Sequence, residues 1–214
     1  SAVVGSLLDA GHAVTSTWVA EAERERIEEM FSDAGRLSLV RADVTDPAEV
    51  DQAVAAVADL DAVVNLVGGY SAPGRVHESE PADFQHMLQL NLLPGFLLAR
   101  AAIPRLIATG GGSFVAVSAR AALRPFAGAA GYITAKAGVL AFVQALDAEY
   151  RHDKIRCNAV LPGVIDTPAN RKASPGGNFS RWVAPEAIAA VITFLLSDAA
   201  AVITGAAVPV AGES

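Results

Sequence analysis

Tyr132 and Lys136 stand four residues apart in the run Tyr132-Ile133-Thr134-Ala135-Lys136. On a helix that spacing puts both side chains on one face, where an ammonium beside a phenol lowers the phenol pKa from about 10 towards the range of a general acid. Such a phenol can hand a proton to an oxygen and take it back. Taken alone, the pair reads more simply as two residues of a surface helix, because so short a motif recurs by chance. Other chemistries find few residues to carry them. His12, His77, His86 and His152 are scattered without metal-ligand spacing, and no Gly-x-Ser-x-Gly segment offers a hydrolase nucleophile. Cys157 is the single cysteine, which excludes an intrachain disulfide and a thiolate metal site and points to a reducing, cytoplasmic compartment.

The chain that must position these groups has 214 residues, 52% hydrophobic and 18% charged, which suits one globular domain and excludes disordered or collagen-like classes. Sixteen Lys and Arg against 23 Asp and Glu give a formal charge of -7, the wrong sign for a non-specific binder of phosphate backbones, so no nucleic-acid partner is expected. No uninterrupted apolar run reaches the roughly 18 residues of a membrane span. The start, Ser1-Ala2-Val3-Val4, lacks the basic region of a secretory signal. A soluble protein without a membrane partner is expected.

Short apolar, β-branched runs alternate with helical patterns along the whole chain, the signature of a doubly wound, Rossmann-like α/β fold with a parallel sheet. The patterns predict strands at 12–17, 36–40, 61–67, 112–118, 154–160 and 206–210, with helices at about 2–10, 20–34, 47–58, 81–108, 132–151 and 185–197. Asp46-Pro47-Ala48-Glu49 is a helix start with N-cap, proline and first-turn acid, and Glu80-Pro81-Ala82-Asp83 resembles it. Residues 170–181, centred on Ser174-Pro175-Gly176-Gly177-Asn178, read as a short mobile loop, too short to wrap a large substrate. Phe84, Phe96, Phe126, Phe142 and Phe194 are expected in the core, with Phe126 placed where it could touch a substrate, and the charged stretch 21–29 is expected on a solvated face.

In order along the chain, Asp43-Val44-Thr45, Asn65-Leu66-Val67-Gly68-Gly69, Asn91-Leu92, Val117-Ser118, Tyr132-x-x-x-Lys136, Asn158-Ala159-Val160-Leu161-Pro162-Gly163 and Ile165-Asp166-Thr167-Pro168 resemble the motifs of the short-chain dehydrogenase/reductase family. Seven motifs in the right order, each on the matching strand or helix, outweigh the bland reading of any one. The resemblance implies a nicotinamide cofactor, with Tyr132 as the acid/base, Lys136 holding the nicotinamide ribose, and Asn91 supporting the lysine through a water. A helix-interior Asn91 bonded to a neighbouring carbonyl is the alternative. It also implies that Asp43 and Val44 meet the adenine, that Asn65 and Gly68 line the cofactor, that Pro162, Gly163 and Val164 bring backbone donors to the nicotinamide amide, and that Thr167 lies near the phosphates. A turn role for Asp43 is compatible with this. A homodimer or homotetramer packed through helices 81–108 and 132–151 is implied as well.

Three departures qualify the match. The family serine that bonds the substrate carbonyl stands thirteen residues before the tyrosine, where this chain has Ala119; Ser118, one residue earlier, reaches the site only if the strand end twists, and otherwise is a buried, backbone-bonded serine. Ser118-Ala119-Arg120 and Val67-Gly68-Gly69-Tyr70 resemble the dihydropteridine reductase branch, which widens the substrate class from small carbonyls and alcohols to pterin- or quinone-like compounds. At the end of the strand reaching Thr17, Trp18 and Val19 stand where an acid would favour NAD, so NADP is favoured over NAD, with Arg24 nearby. The sequence opens on a helix, and the family's first strand and glycine-rich phosphate loop are expected to precede it, since without that central strand two hydrophobic edges would be exposed. A catalytically silent dinucleotide-binding or scaffold protein of the same fold is the alternative function.

Overall fold

The computed structural model describes residues 1–32 and 34–213. Its elements run α1 (Ala2–Asp9), β1 (Val14–Trp18), α2 (Glu21–Met30), β2 (Leu37–Arg41), α3 (Pro47–Ala55), β3 (Ala62–Asn65), α4 (Pro81–Asn91), α5 (Leu93–Ala108), β4 (Gly112–Val117), α6 (Ala130–Tyr150), β5 (Ile155–Pro162), α7 (Pro168–Ala173), α8 (Pro185–Leu196) and β6 (Ala207–Val210). All six predicted strands are present, and five of the six predicted helices, with ends shifted by a few residues; the sixth, over 81–108, is divided. The helix expected to reach 34 stops at Met30, and residue 33 lies outside the described residues.

All strand pairs are parallel. β1 pairs with β2, and the other four form a sheet in the order β3-β4-β5-β6. Asn65 is level with Ala116, Val117 with Val160, and Pro162 with Val210, so the carboxyl ends of β3, β4 and β5 come out at one edge. That edge is where open α/β sheets bind ligands. One face of the larger sheet is covered by α5 and α6, through Leu97, Ile103, Leu106, Val139 and Val143. Its other face carries α1 and α8, through Val3, Leu7, Ile188 and Ile192, and this second layer also takes in Val14 of β1 and Val64 of β3.

The proline-marked helix starts behave as their chemistry requires. Asp46 accepts from the amides of Ala48 and Glu49 at 2.8 and 3.0 Å, with Pro47 in the first turn. Pro81 opens α4 in the same way, although the Glu80 side chain makes no cap bond. The helix predicted over 81–108 is two helices, broken at Leu92 (φ -107°, ψ -46°). Pro94 has no N–H to offer the carbonyl four residues back, so the ladder fails there. By length and mean hydropathy Pro81–Ala108 could cross a membrane, although polar residues such as Asp83, Asn91 and Arg100 interrupt its apolar run; the stretch holds this break and its buried face lies against the sheet.

Two other expectations change. Residues 170–181 contain α7 and a short 3-10 turn at Phe179–Arg181; the Phe179 and Trp182 rings stack edge-on at 4.8 Å, and Arg171 lies 4.8 Å over Phe179. Aromatic and cation–π contacts hold what composition alone reads as loose. Phe84, Phe96, Phe126 and Phe194 are exposed rather than core, Phe142 is partly buried, and Phe114 of β4 is the fully buried phenylalanine.

Long arginines close helix ends. Arg105 of α5 donates to the carbonyl of Val54 in the last turn of α3 and to those of Val57 and Ala58 just beyond it, tying the end of that helix to α5. Arg105→Ala is expected to cost about 1–3 kcal/mol. The measurement is the urea midpoint, which should fall with the denaturant slope unchanged; an unaltered midpoint would show that water replaces the guanidinium without loss.

Candidate active site

Helix α6 is tied to the end of β4 by two hydrogen bonds running in opposite directions. The Ser118 hydroxyl donates to the Lys136 carbonyl at 2.6 Å, and the Lys136 ammonium donates to the Val117 carbonyl at 3.0 Å. The Ser118 amide stays in the sheet by donating to Val160. This corrects the expectation that Ser118 touches a substrate. Its side chain is 2% exposed and its one proton is given to the helix, so it braces Lys136 and is the buried, backbone-bonded serine of the two alternatives. Ala119 beside it has no donor in its side chain. Tyr132, one helical turn before Lys136, is thereby held at the rim of the same edge.

Asn91 and the glycines after β3 close the site from the other side. Asn91 is fully buried; its amide nitrogen donates to Met87 O at 3.1 Å, and its oxygen accepts from the Gly69 amide at 3.1 Å. It is therefore both a helix-satisfied asparagine and a brace for the loop. A Cβ at Gly68 would stand 2.6 Å from Asn91 Oδ1 and 2.8 Å from Lys136 Nζ, so only glycine lets this backbone rest on both groups. Asn65, 2% exposed, accepts from the Val67 amide at 3.2 Å and turns the chain out of β3, leaving Leu66 exposed.

Burial sets the electrostatics. It pushes the Lys136 ammonium down to about 8, because the charged form loses water. The Tyr132 phenol is pushed above its ordinary value, first by burial and then by the nearby Tyr70 phenol. The predicted lowering of the phenol by the ammonium is thus not seen: the cost of desolvation is larger, and Nζ is aimed at Val117 O beneath Gly68. Among the described residues no hydrogen bond reaches the Tyr132 hydroxyl, and no buried side-chain nitrogen or oxygen lacks a partner, so this hydroxyl is open to the cleft. It is protonated at neutral pH and free to donate. A cavity of about 220 Å³ opens beside it, walled by Pro73, Val76, Pro81, Phe84 and Met87.

The remaining predicted site residues lie at neighbouring strand ends. Asp43, just past β2, accepts from the amide and hydroxyl of Thr45 at 2.9 and 2.7 Å, which holds its carboxyl below the usual range. Its turn role is therefore real, and Val44 beside it is buried. Past β5, the Gly163 amide donates to Val210 in the sheet and is spent, whereas Val164 is exposed. Thr167 caps α7 by accepting from the Asn170 amide at 3.2 Å. Tyr132, Lys136, Asn91, Ser118 and Gly68 thus form one connected cluster; Pro162 ends β5, and Gly163, Val164 and Thr167 follow it, at the same sheet edge but outside the cluster, and Asp43 and Val44 follow β2 of the two-stranded sheet.

Two residues join the picture from outside the predicted set. The Glu23 carboxylate folds back to accept from the amides of Val19 and Ala20 at 3.1 and 3.2 Å, putting an acid at the end of β1 where the adjacent sequence has none. A glutamate at the third position of a helix is the signal that could have found it. The Tyr70 ring meets the Tyr132 ring edge-on, with centroids 5.1 Å apart. No spacing rule links them.

Comparison with known proteins places this geometry. A family model described as enoyl-(acyl carrier protein) reductase matches residues 1–212. The cis-4-hydroxycyclohexanecarboxylate dehydrogenase of Sinomonas cyclohexanicum is 33% identical, covering 96% of this chain and 88% of that protein. The 2-(R)-hydroxypropyl-CoM dehydrogenase of Xanthobacter autotrophicus is 32% identical, covering 78% and 74%. Among solved structures, a short-chain type dehydrogenase/reductase from Mycobacterium ulcerans matches with a TM-score of 0.93 at 25% identity, over 99% of this chain and 84% of that one. ElxO with NADP bound matches with a TM-score of 0.91 at 25% identity, over 99% and 92%.

Gly68 gives the direct test of the packed cluster. Gly68→Ala is expected to lower stability by about 1–3 kcal/mol, since the methyl must displace the locked Asn91 amide. Gly176→Ala, where a Cβ meets nothing within 4 Å, serves as the control. Equal urea midpoints for the two variants would contradict the close packing.

Proposed function

The chain belongs to the short-chain dehydrogenase/reductase family of NAD(P)-dependent oxidoreductases, and we propose that it moves a hydride between a nicotinamide and a small alcohol or carbonyl compound, with Tyr132 as the acid/base. The observation that carries this reading is the open, protonated Tyr132 hydroxyl one helical turn from the buried Lys136. The residues fit a dinucleotide. Gly68 leaves room that a Cβ would fill above Lys136, whose ammonium has given one proton to Val117 O and keeps two for ribose hydroxyls.

When bound, the nicotinamide supplies or accepts the hydride. Tyr132 donates its proton to the carbonyl oxygen in reduction and takes it back in oxidation. Lys136 holds the ribose, and Asn91, through the Gly69 amide, keeps the loop over it. Asp43 and Val44 face the adenine, Asn65 shapes the strand exit beneath the cofactor, and Pro162, Gly163 and Val164 border the carboxamide with Thr167 towards the phosphates. NADP is the form we favour. Arg41, in register with Trp18, is 63% exposed with Glu49 3.9 Å away, and its positive charge lies at the end of β1; Arg24, 5.9 Å over the Trp18 ring, is paired with Glu21 and Glu28, and Glu23 takes both amides on one oxygen and keeps the other. A parallel strand between β1 and β3, with its glycine-rich loop, would pair the free edges of both sheets and complete the single domain.

The largely apolar cavity beside Tyr132, with the carboxylates of Glu80 and Asp83 in its wall, favours a small ring or chain without negative charge, a class to which cyclohexanol dehydrogenase of Acinetobacter, 29% identical, also points by name. Pterin- and quinone-like compounds remain within the proposed range. A second copy of the chain is the proposed partner, seated on the exposed apolar groove of Leu88, Leu92, Leu93, Phe96 and Phe142 on α4, α5 and α6, to give a homodimer or homotetramer. The reducing cytoplasm is the proposed compartment, resting on the lone, buried Cys157.

Tyr132→Phe tests the function. With a panel of cyclic ketones, quinones and pterins and NADPH or NADH, it should cut kcat by about 10²- to 10⁴-fold while leaving dinucleotide affinity within a small factor. Unchanged turnover would remove Tyr132 from the mechanism, and absence of turnover in the parent with dinucleotide still bound would favour the silent binding protein.

A further inference from the structure

A carbonyl oxygen about to take a proton is polarised further by a second hydrogen-bond donor aimed at it. In this chain neither expected source can serve: Ala119 has no donor, and the Ser118 hydroxyl is buried and given to Lys136 O at 2.6 Å. Of the donor-bearing side chains beside Tyr132, with Ser71 among them on the cavity wall, the one in ring contact with it is Tyr70. Its ring stands edge-on to the Tyr132 ring, with centroids 5.1 Å apart and planes at 87°. Tyr70 is 63% exposed, and among the described residues its hydroxyl has no hydrogen-bond partner.

The position is fixed from several sides. The neighbouring Gly69 amide donates to the buried Asn91 oxygen, and a Cβ at Gly69 would come within 2.6 Å of Leu90, so the loop is pressed onto α4. The Gly74 amide donates to Gly128 O, which ties the far end of the loop to the segment entering α6. Phe126 lies against Tyr70 at 6.4 Å. The loop therefore delivers a second phenol to the rim occupied by the acid/base.

We propose that Tyr70 is a catalytic residue that donates a hydrogen bond to the substrate oxygen alongside Tyr132, in the role that neither Ser118 nor Ala119 can fill. The inference rests on the oxidoreductase reading above. Tyr132 gives its proton to the oxygen as the carbon is reduced; Tyr70 keeps its own proton throughout, so the hydrogen bond shortens without a second transfer. The raised pKa of Tyr132, to which Tyr70 contributes, agrees with two phenols near enough to sense each other's charge.

Tyr70→Phe keeps the ring and its edge contact and removes only the O–H. It should lower kcat for ketone reduction by about 10- to 100-fold, with KM changed by no more than about threefold. A second readout needs no turnover: binding of 4-nitrophenolate, an oxyanion mimic, to the protein carrying oxidised dinucleotide should weaken by about tenfold. Wild-type kcat and wild-type phenolate affinity in the variant would overturn the proposal. Failure of the parent protein to reduce any carbonyl of the panel would instead count against the oxidoreductase reading, and the phenolate titration would then decide whether Tyr70 donates to an oxyanion.

Discussion

The reciprocal pair of hydrogen bonds between Lys136 and the end of β4 is the constraint on which the site depends. A buried ammonium is costly unless its protons find acceptors, and Val117 O is the acceptor that the sheet presents at that level. Ser118 returns the bond from strand to helix, so the first turns of α6 cannot slide or rotate without breaking one of the two. Tyr132 takes its place at the rim from this anchoring rather than from any bond of its own. The surrounding parts fall into place against the same point: Gly68 because nothing larger fits above Nζ, and Asn91 because its oxygen holds the loop that carries Gly68.

The rest of the fold serves to bring three strand ends to that level. Parallel pairing places Asn65, Val117 and Pro162 on one edge, and the helices on both faces supply the apolar burial that fixes the sheet. The break at Leu92 belongs to this arrangement. Asn91 is the last residue of α4, still held by Met87 O, so its side chain can face the loop while α5 leaves in its own direction to cover the sheet. Desolvation is the common cause of the two perturbed groups: it weakens the charge on Lys136 and keeps Tyr132 protonated, which suits a proton donor.

Much of this was legible in the sequence because the relevant signals are local. Strand and helix periods, the Asp46 cap and the Tyr132–Lys136 spacing each depend on a few neighbouring residues, and the structure reproduces them. What the sequence could not show depends on three-dimensional neighbours. The Ser118 hydroxyl could face cleft or core, and the choice was made by a helix carbonyl eighteen residues on. The ammonium was expected to lower the phenol, but the sign of that balance is set by burial, which spacing does not report. Pro94 is the local signal of the helix break, which the helical periodicity over 81–108 does not register. Residues 170–181 have the composition of a loose loop, and are held by Phe179, Trp182 and Arg171, contacts that no local rule predicts. Tyr70 is visible in the sequence only as part of the Val67-Gly68-Gly69-Tyr70 resemblance, because its contact with Tyr132 is three-dimensional.

The central claim, that a buried lysine bonded to the end of β4 organises the site, is tested most directly by titrating Lys136 itself through the side-chain NMR signals of the isotopically labelled protein, with Lys136→Met for assignment. The structure predicts a midpoint of about 8. A midpoint near the ordinary lysine value of about 10.5 would mean that the ammonium is solvated, that the bond to Val117 is not maintained, and that Tyr132 is positioned by something else.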